Sequence, residues 1–174
     1  MKLYIPIAEG TGLKNGVEDS IKKQDIPIDI VLCASHGITD YDKTEDDRRK
    51  KMLECQVVSR NLMVPMLADN HDEYAAMQDR DIIHLYQDNF SRAIDFLSIN
   101  RNYMALSLAG RGDPRKIKKH VCMQCFVFRV ELFRNFKFRL GANHRPCVTM
   151  LEDINGLGYK YDDFYSGKRL TKEI

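Results

Sequence analysis

Two aspartates separated by one residue follow an apolar segment that has the composition of a strand. The segment is residues 73–78 (EYAAMQ), and Asp79-Arg80-Asp81 comes directly after it. In open α/β sheets, ligands bind beyond the carboxyl ends of the strands. Two carboxylates there can hold a divalent cation, and the cation can hold a diphosphate. Asp79 and Asp81 are therefore candidate ligands of Mg²⁺ or Mn²⁺, with an ordinary role in a turn as the alternative.

The elements that must position these carboxylates alternate along the first hundred residues. Apolar runs predict strands at residues 3–8, 28–34, 73–78, 103–109, 121–129 and 159–164. Apolar spacing and terminal signals predict helices at residues 17–24, 44–61, 88–98 and 146–155. Pro65 is expected to end or kink the second helix. The run at 28–34 is typical of a strand buried on both faces, and the overall order implies βαβ units and a mostly parallel sheet.

Composition excludes several functional classes. The chain has 174 residues, which suits one domain, and a formal charge of +2, which gives no reason to expect a nucleic-acid partner. No apolar run approaches the roughly 18 residues of a membrane span, and the first apolar run is too short for a signal peptide. We therefore expect a soluble, cytoplasmic protein without a transmembrane segment. The five cysteines are expected to be reduced thiols.

Taken in order, these motifs resemble the GT-A fold of family 2 glycosyltransferases. The resemblance is carried by Ser59-Arg60-Asn61 on a helix, by the strand that ends in Asp79-Arg80-Asp81, and by the helix containing Asn89. Residues 126–133 and 157–160 are also similar to the family, so the resemblance covers most of the chain. It implies a single α/β domain over residues 1–174, built as a three-layer αβα sandwich around a mostly parallel mixed sheet. Residues 1–110 would form its nucleotide-sugar-binding half and residues 111–174 its acceptor-side half.

The resemblance also implies an activity and a set of site residues. The activity is metal-dependent transfer of a sugar from a nucleotide-diphosphate sugar, of the UDP or GDP type, to a hydroxyl acceptor, with inversion. Asp79 and Asp81 would hold Mn or Mg. The nucleotide-sugar-binding residues would be Pro6, Glu9, Arg60, Asn61 and Asp79. Asp153 is the candidate catalytic base, and Glu152 is the second choice.

Two departures from the family pattern favour a non-catalytic alternative. Ser35-His36-Gly37 stands where the family places an acid after the second strand, and the nearest acid is Asp40. Residues 143–147, at the start of the closing helix, lack the family's acid pair. The chain could then be a degenerate domain that binds a nucleotide sugar or a partner without turnover.

A sugar-phosphate nucleotidyltransferase is the other enzyme alternative. Gly10-Thr11-Gly12-Leu13-Lys14 forms a glycine-rich loop after the first strand, and backbone amides in such loops can cradle phosphate. No matching lysine motif follows downstream, so this alternative ranks below sugar transfer.

Three further groups have an ordinary structural explanation. Cys122 and Cys125 have half of the spacing of a zinc site, but residues three apart on a strand point to opposite faces, so we expect buried thiols without zinc. The basic residues 111–119 suit a solvated loop, with a lid over a diphosphate as the functional alternative. His144 could complete a metal site, although a lone histidine is usually structural or exposed.

Overall fold

Strands and helices alternate as the apolar pattern predicts. The computed structural model describes residues 1–8, 10–35, 45–109, 123–140, 146–164 and 170–174, with only the backbone described at 8, 35, 45–53, 55, 59, 146 and 147. The strands in these ranges are β1 (Lys2–Ala8), β2 (Asp29–Ser35), β3 (Tyr74–Gln78), β4 (Ile82–His84), β5 (Tyr103–Ser107), β6 (Cys125–Arg129), β7 (Lys160–Asp163) and β8 (Thr171–Glu173). The helices are α1 (Val17–Lys22), α2 (Glu45–Met66), α3 (Asn89–Ile99), α4 (Val130–Phe133) and α5 (Pro146–Gly156).

Six of the strands form one sheet, in the order β2-β1-β3-β6-β5-β7. Five of them run parallel, and β6 is antiparallel to its two neighbours β3 and β5. The carboxyl ends of β1, β3 and β5 therefore share one edge of the sheet with the amino end of β6. This is the mostly parallel mixed sheet that the sequence predicts. Because β6 lies between β3 and β5, the two predicted halves of the chain share a single sheet.

Helices cover both faces of this sheet, because its central strands place apolar side chains on both faces. In β6, Phe126 and Phe128 pack on one face, whereas Cys125 and Val127 pack on the other. The first face is covered by α2, α4 and α5, which contribute residues such as Met63, Phe133 and Ile154. The second face is covered by α1 and α3, which contribute residues such as Val17, Ile21, Phe90 and Leu97. The result is the predicted three-layer αβα sandwich.

Two features of the sheet differ from the sequence prediction. The strand β2 was expected to be buried on both faces, but it lies at the edge of the sheet and leaves Leu32 45% exposed. A separate two-stranded sheet, β4 with β8, was not predicted at all. In contrast, Pro65 lies in the last turn of α2, which ends at Met66, so the expected termination is confirmed.

Two further observations concern the cysteines and the hydropathy of the helices. Cys33 and Cys125 are buried thiols, and burial raises the pKa of Cys33 to about 11, which makes its thiol unreactive at neutral pH. Cys122, the basic residues 111–119 and His144 lie outside the described residues. Within the described ranges, no helix combines the length and the apolar character needed to cross a bilayer.

A buried arginine joins three elements below the amino ends of the strands. Arg129, at the end of β6, is 3% exposed at its side chain. Its Nε donates to the carbonyl of Tyr103 (3.0 Å), its Nη1 donates to the hydroxyl of Tyr74 (3.1 Å), and its Nη2 donates to the carbonyl of Leu97. The guanidinium therefore supplies hydrogen bonds to polar groups of β3, α3 and β5.

We expect the substitution Arg129→Met to lower the free energy of unfolding by about 3 kcal/mol, because it removes the hydrogen bonds to two carbonyls and a hydroxyl. Arg101 is the matched control, since both arginines approach Glu73 (Arg129 at 3.6 Å and Arg101 at 3.4 Å) but Arg101 is 73% exposed. Arg101→Met should change the stability by less than about 0.5 kcal/mol. Urea unfolding of both variants measures the difference, and equal losses would contradict the structural role of Arg129.

Candidate functional site

The aspartates singled out in the sequence lie where β3 ends, at the carboxyl edge of the parallel strands. The backbone N–H of Asp79 donates to the carbonyl of Gln124 (2.7 Å), and its carbonyl accepts a bond from the N–H of Ile82 (3.3 Å). The carbonyl of Asp81 accepts a bond from the N–H of Ile174 (3.0 Å). Both aspartate side chains are 24% exposed. The two carboxylates are thus held by backbone contacts from three separate parts of the chain, and both still reach solvent.

Asp79 is paired with a buried arginine from α2. Arg60 is 2% exposed at its side chain, and its Nη2 donates to Oδ1 of Asp79 (2.8 Å). The same guanidinium donates to the carbonyl of Gln56 (3.1 Å) and to that of Met123 (3.4 Å). Its Nε is buried without a partner among the described residues. The structure places Arg60 as the internal counter-ion of Asp79, and its predicted role in binding the nucleotide sugar stays a prediction.

Neighbouring carboxylates act on Asp79 despite that pair. Desolvation raises the pKa of Asp79, Arg60 opposes the rise, and the charges of Asp81 and Glu173 add to it. A further cation beside Asp79 and Asp81 would therefore stabilise the ionised carboxylates.

The donor set fits a cation that is shared with a phosphate ligand. Within the described ranges, no three His, Cys, Asp or Glu side chains are grouped so that together they could hold a metal ion. Two carboxylates are nevertheless the protein contribution with which Mg²⁺ is commonly bound when substrate phosphates and water complete its coordination. Asp79 and Asp81 can supply these carboxylates to Mg²⁺ or Mn²⁺.

Two charged residues at this edge were not recognised in the sequence as site residues. Lys14, in the loop before α1, places its Nζ 3.9 Å from Oδ2 of Asp81. Glu173, on β8, accepts a hydrogen bond from Nε2 of Gln124 (3.0 Å). The glycine spacing around Lys14 was a usable signal, because it marks a loop after a strand. Nothing in the sequence marks Glu173, since its position depends on the unpredicted pairing of β8 with β4.

A buried polar network lies next to the end of β3. Nε2 of His84 lies 2.7 Å from Oε1 of Gln78, and Nδ1 of His84 lies 3.2 Å from Nδ2 of Asn89. The amide of Asn89 also donates to the carbonyl of Leu170 (2.8 Å). With these partners, His84 is neutral: its Nε2–H donates to Gln78, and its Nδ1 accepts from Asn89. The network connects β3, β4, α3 and the residue that precedes β8.

We predict that His84 makes the fold sensitive to acid. Burial lowers the pKa of His84 to about 3, from an ordinary value of 6.5. The unfolded chain therefore takes up a proton as the pH falls below about 6.5, and the folded chain takes it up only near pH 3. Stability is lost across this window, by about 2 kcal/mol at pH 5.

Urea unfolding at pH 7 and pH 5 tests this prediction. His84→Gln should lose less stability between the two pH values than the unsubstituted chain, by about 2 kcal/mol. His71→Gln, at an exposed position, is the control and should keep the full loss. An unchanged pH dependence in His84→Gln would contradict the prediction.

The other residues predicted to bind the nucleotide sugar are Asn61, Pro6 and Glu9. The amide of Asn61 makes two hydrogen bonds with the backbone of Phe138. Its Nδ2 donates to the carbonyl of Phe138, and its Oδ1 accepts from the N–H of Phe138, each at 2.9 Å. Pro6 is half-buried in β1 and lies opposite Cys33 of β2. It lies past the residues of β1 that pair with β3, so its missing N–H removes no bond to β3. Glu9 lies outside the described residues.

The predicted catalytic acids are not brought together with Asp79. Asp153 lies on α5 and forms a bidentate pair with Arg139, whose Nη2 and Nε donate at 2.6 and 3.0 Å. It lines a cavity of about 580 Å³ with residues such as Met104, Glu131 and Tyr159, which lie toward the amino ends of β3, β5 and β7. That end is separated from Asp79 by roughly 15 Å, the length of a five-residue strand. Glu152 is exposed on the same helix. The catalytic role of either acid stays a prediction.

Comparison with solved structures identifies the fold. The mannosyltransferase PcManGT from Pyrobaculum calidifontis, solved with GDP-Man and Mn²⁺, superposes with a TM-score of 0.66 at 17% identity, over 96% of this chain and 55% of that one. Residues 1–349 of S. aureus TarS superpose with a TM-score of 0.59 at 14% identity, over 98% of this chain and 59% of that one. A197 from STIV gives a TM-score of 0.55 at 13% identity, over 95% of this chain and 83% of that one.

These similarities confirm the predicted fold class, the α/β sandwich of GT-A glycosyltransferases. TarS has also been solved in complex with UDP-GlcNAc and with UDP. The chain spans between half and three fifths of the length of the mannosyltransferase and of the TarS fragment. No protein-family model matches the chain, and no curated protein matches its sequence.

Proposed function

We propose that the chain binds a nucleotide-diphosphate sugar together with Mg²⁺ or Mn²⁺ at Asp79 and Asp81, and that it transfers the sugar to a hydroxyl acceptor. The observation that carries the proposal is the position of these two carboxylates at the carboxyl edge of a sheet shared with glycosyltransferases. A nucleotide sugar and Mn²⁺ are bound together by the mannosyltransferase of similar fold, which supports the same pairing of ligands here.

In this proposal, the residues around Asp79 orient it before any ligand arrives. Arg60 engages Oδ1 from inside the fold, and the bonds to Gln124 and Ile82 fix the backbone on either side. Such preorganisation reduces the reorganisation needed when the substrate binds. The bound cation would offset the negative charge that develops on the leaving diphosphate.

The proposed transfer is a displacement at the anomeric carbon of the sugar. The acceptor oxygen forms a bond to that carbon, the bond from carbon to the diphosphate oxygen breaks, and the hydroxyl proton passes to a carboxylate base. A single displacement inverts the configuration at this carbon. We propose that residues 1–110 supply most of the nucleotide-sugar side and residues 111–174 the acceptor side, within one domain.

The first prediction from this proposal is that a divalent cation strengthens nucleotide binding through both aspartates. A diphosphate and two carboxylates repel one another, and a cation between them reverses that repulsion. Calorimetric titration with UDP and GDP, in MnCl₂ and then in chelator, should show at least about a tenfold gain with metal. Asp79→Asn and Asp81→Asn should each remove most of this gain.

Asp95→Asn is the matched control, because Asp95 is exposed on α3 and should leave the metal-dependent gain intact. Equal binding with and without metal would overturn the metal role. If the protein binds a nucleotide sugar but gives no turnover, the non-catalytic alternative is correct. Release of pyrophosphate from a nucleoside triphosphate would instead indicate a nucleotidyltransferase.

A second prediction concerns the base. If Asp153 is the base, Asp153→Asn should cut transfer strongly and leave nucleotide binding intact. Transfer to water or to added acceptor, measured as release of UDP or GDP, reports this. Transfer within about twofold of the unsubstituted protein would remove Asp153, which is engaged by Arg139, from the mechanism.

A further inference from the structure

Lys14 is anchored beside the aspartates by its backbone as well as by its side chain. Its N–H donates to the carbonyl of Arg80 (3.2 Å), between the two aspartates, and its carbonyl accepts a bond from the N–H of Val17 (3.2 Å) at the start of α1. Its Nζ donates to the carbonyl of Ile174 (2.7 Å) and lies 3.9 Å from Oδ2 of Asp81. The position of Lys14 is therefore set by the fold, which distinguishes it from a freely solvated surface lysine.

The charges of the other groups at this edge leave Lys14 able to bind an anionic ligand. Arg60 is buried and already paired with Asp79, so its charge is directed into the protein. A divalent cation at the two aspartates would neutralise Asp81 and weaken its attraction for Lys14. A lysine ammonium has three donors and no acceptor, so it can keep its bond to Ile174 and direct another N–H to a new anion. The side chain is 45% exposed and can reach such a ligand from solvent.

We propose that Lys14 binds the diphosphate of the nucleotide ligand once a cation occupies the aspartate pair. This inference rests on the proposed function and adds a residue to it. In the absence of ligand, Lys14 is held by Asp81 and Ile174. When the cation and the diphosphate bind together, the ammonium contacts a phosphate oxygen, so that the phosphates are held by the cation on one side and by Lys14 on the other.

The test is calorimetric titration of the full chain with UDP and with GDP in saturating MnCl₂. Three variants are compared with the unsubstituted protein: Lys14→Gln, Lys14→Arg and Lys22→Gln. Lys22 is the matched control, because it is an exposed lysine on α1 that pairs with Glu18 at 2.7 Å. Circular dichroism and thermal unfolding establish that each variant is folded.

We expect Lys14→Gln to weaken binding of the preferred diphosphate about tenfold, as for loss of one charge-assisted bond. Lys14→Arg, which keeps the charge, should stay within about threefold, and Lys22→Gln should match the unsubstituted protein. If Lys14→Gln binds as tightly as the unsubstituted protein, which itself shows metal-dependent binding, the role of Lys14 is overturned and the proposed function stands. If the unsubstituted protein binds neither nucleotide with Mn²⁺, both proposals are overturned. A Lys14→Arg loss as large as that of Lys14→Gln would also overturn the charge-based role.

Discussion

A carboxylate that is drawn out of water at the end of a buried strand needs a counter-charge, and for Asp79 that charge comes from Arg60. The pair forms between the last third of α2 and the residue that follows β3. It therefore links the packing of the longest helix to the geometry of the candidate site. One carboxylate oxygen of Asp79 accepts a hydrogen bond from the guanidinium.

The order of elements was predictable because it depends on local patterns. Continuous apolar runs marked β1, β3, β5 and β6, and the Asp-x-Asp motif after β3 marked the ligand-binding edge. Which strand lies at the edge of the sheet is not a local property: β2 is as apolar in sequence as a central strand, yet Leu32 is exposed. The strands β4 and β8 have three residues each, too few for any periodicity to show. Their existence depends on contacts between distant parts of the chain.

The site was predictable in type but only partly in membership. Asp79 and Asp81 were found from their spacing, since no long-range information is needed to place two carboxylates at one strand end. The roles of Arg60 and Asn61 could not be read, because a helical position does not reveal whether a side chain bonds inward or outward; both are engaged by groups of the protein itself. Asp153 was chosen by elimination from the sequence, and the structure places it at the other end of the strands. Lys14 entered the site through tertiary structure, by a backbone bond to Arg80.

The pairing of β4 with β8 has a consequence for the order in which the molecule assembles. Ile82 is opposite Glu173, so this small sheet closes a loop of about ninety residues that contains α3, β5, β6 and α5. The entropy lost in closing this loop is offset by only three residue pairs between the two strands. The pairing is therefore most favourable once the intervening strands have already docked. We expect this corner of the site to form late in folding and to open at a lower free energy than the central strands. Asp79 would thus be in place, at the end of β3, before the segment that faces it closes.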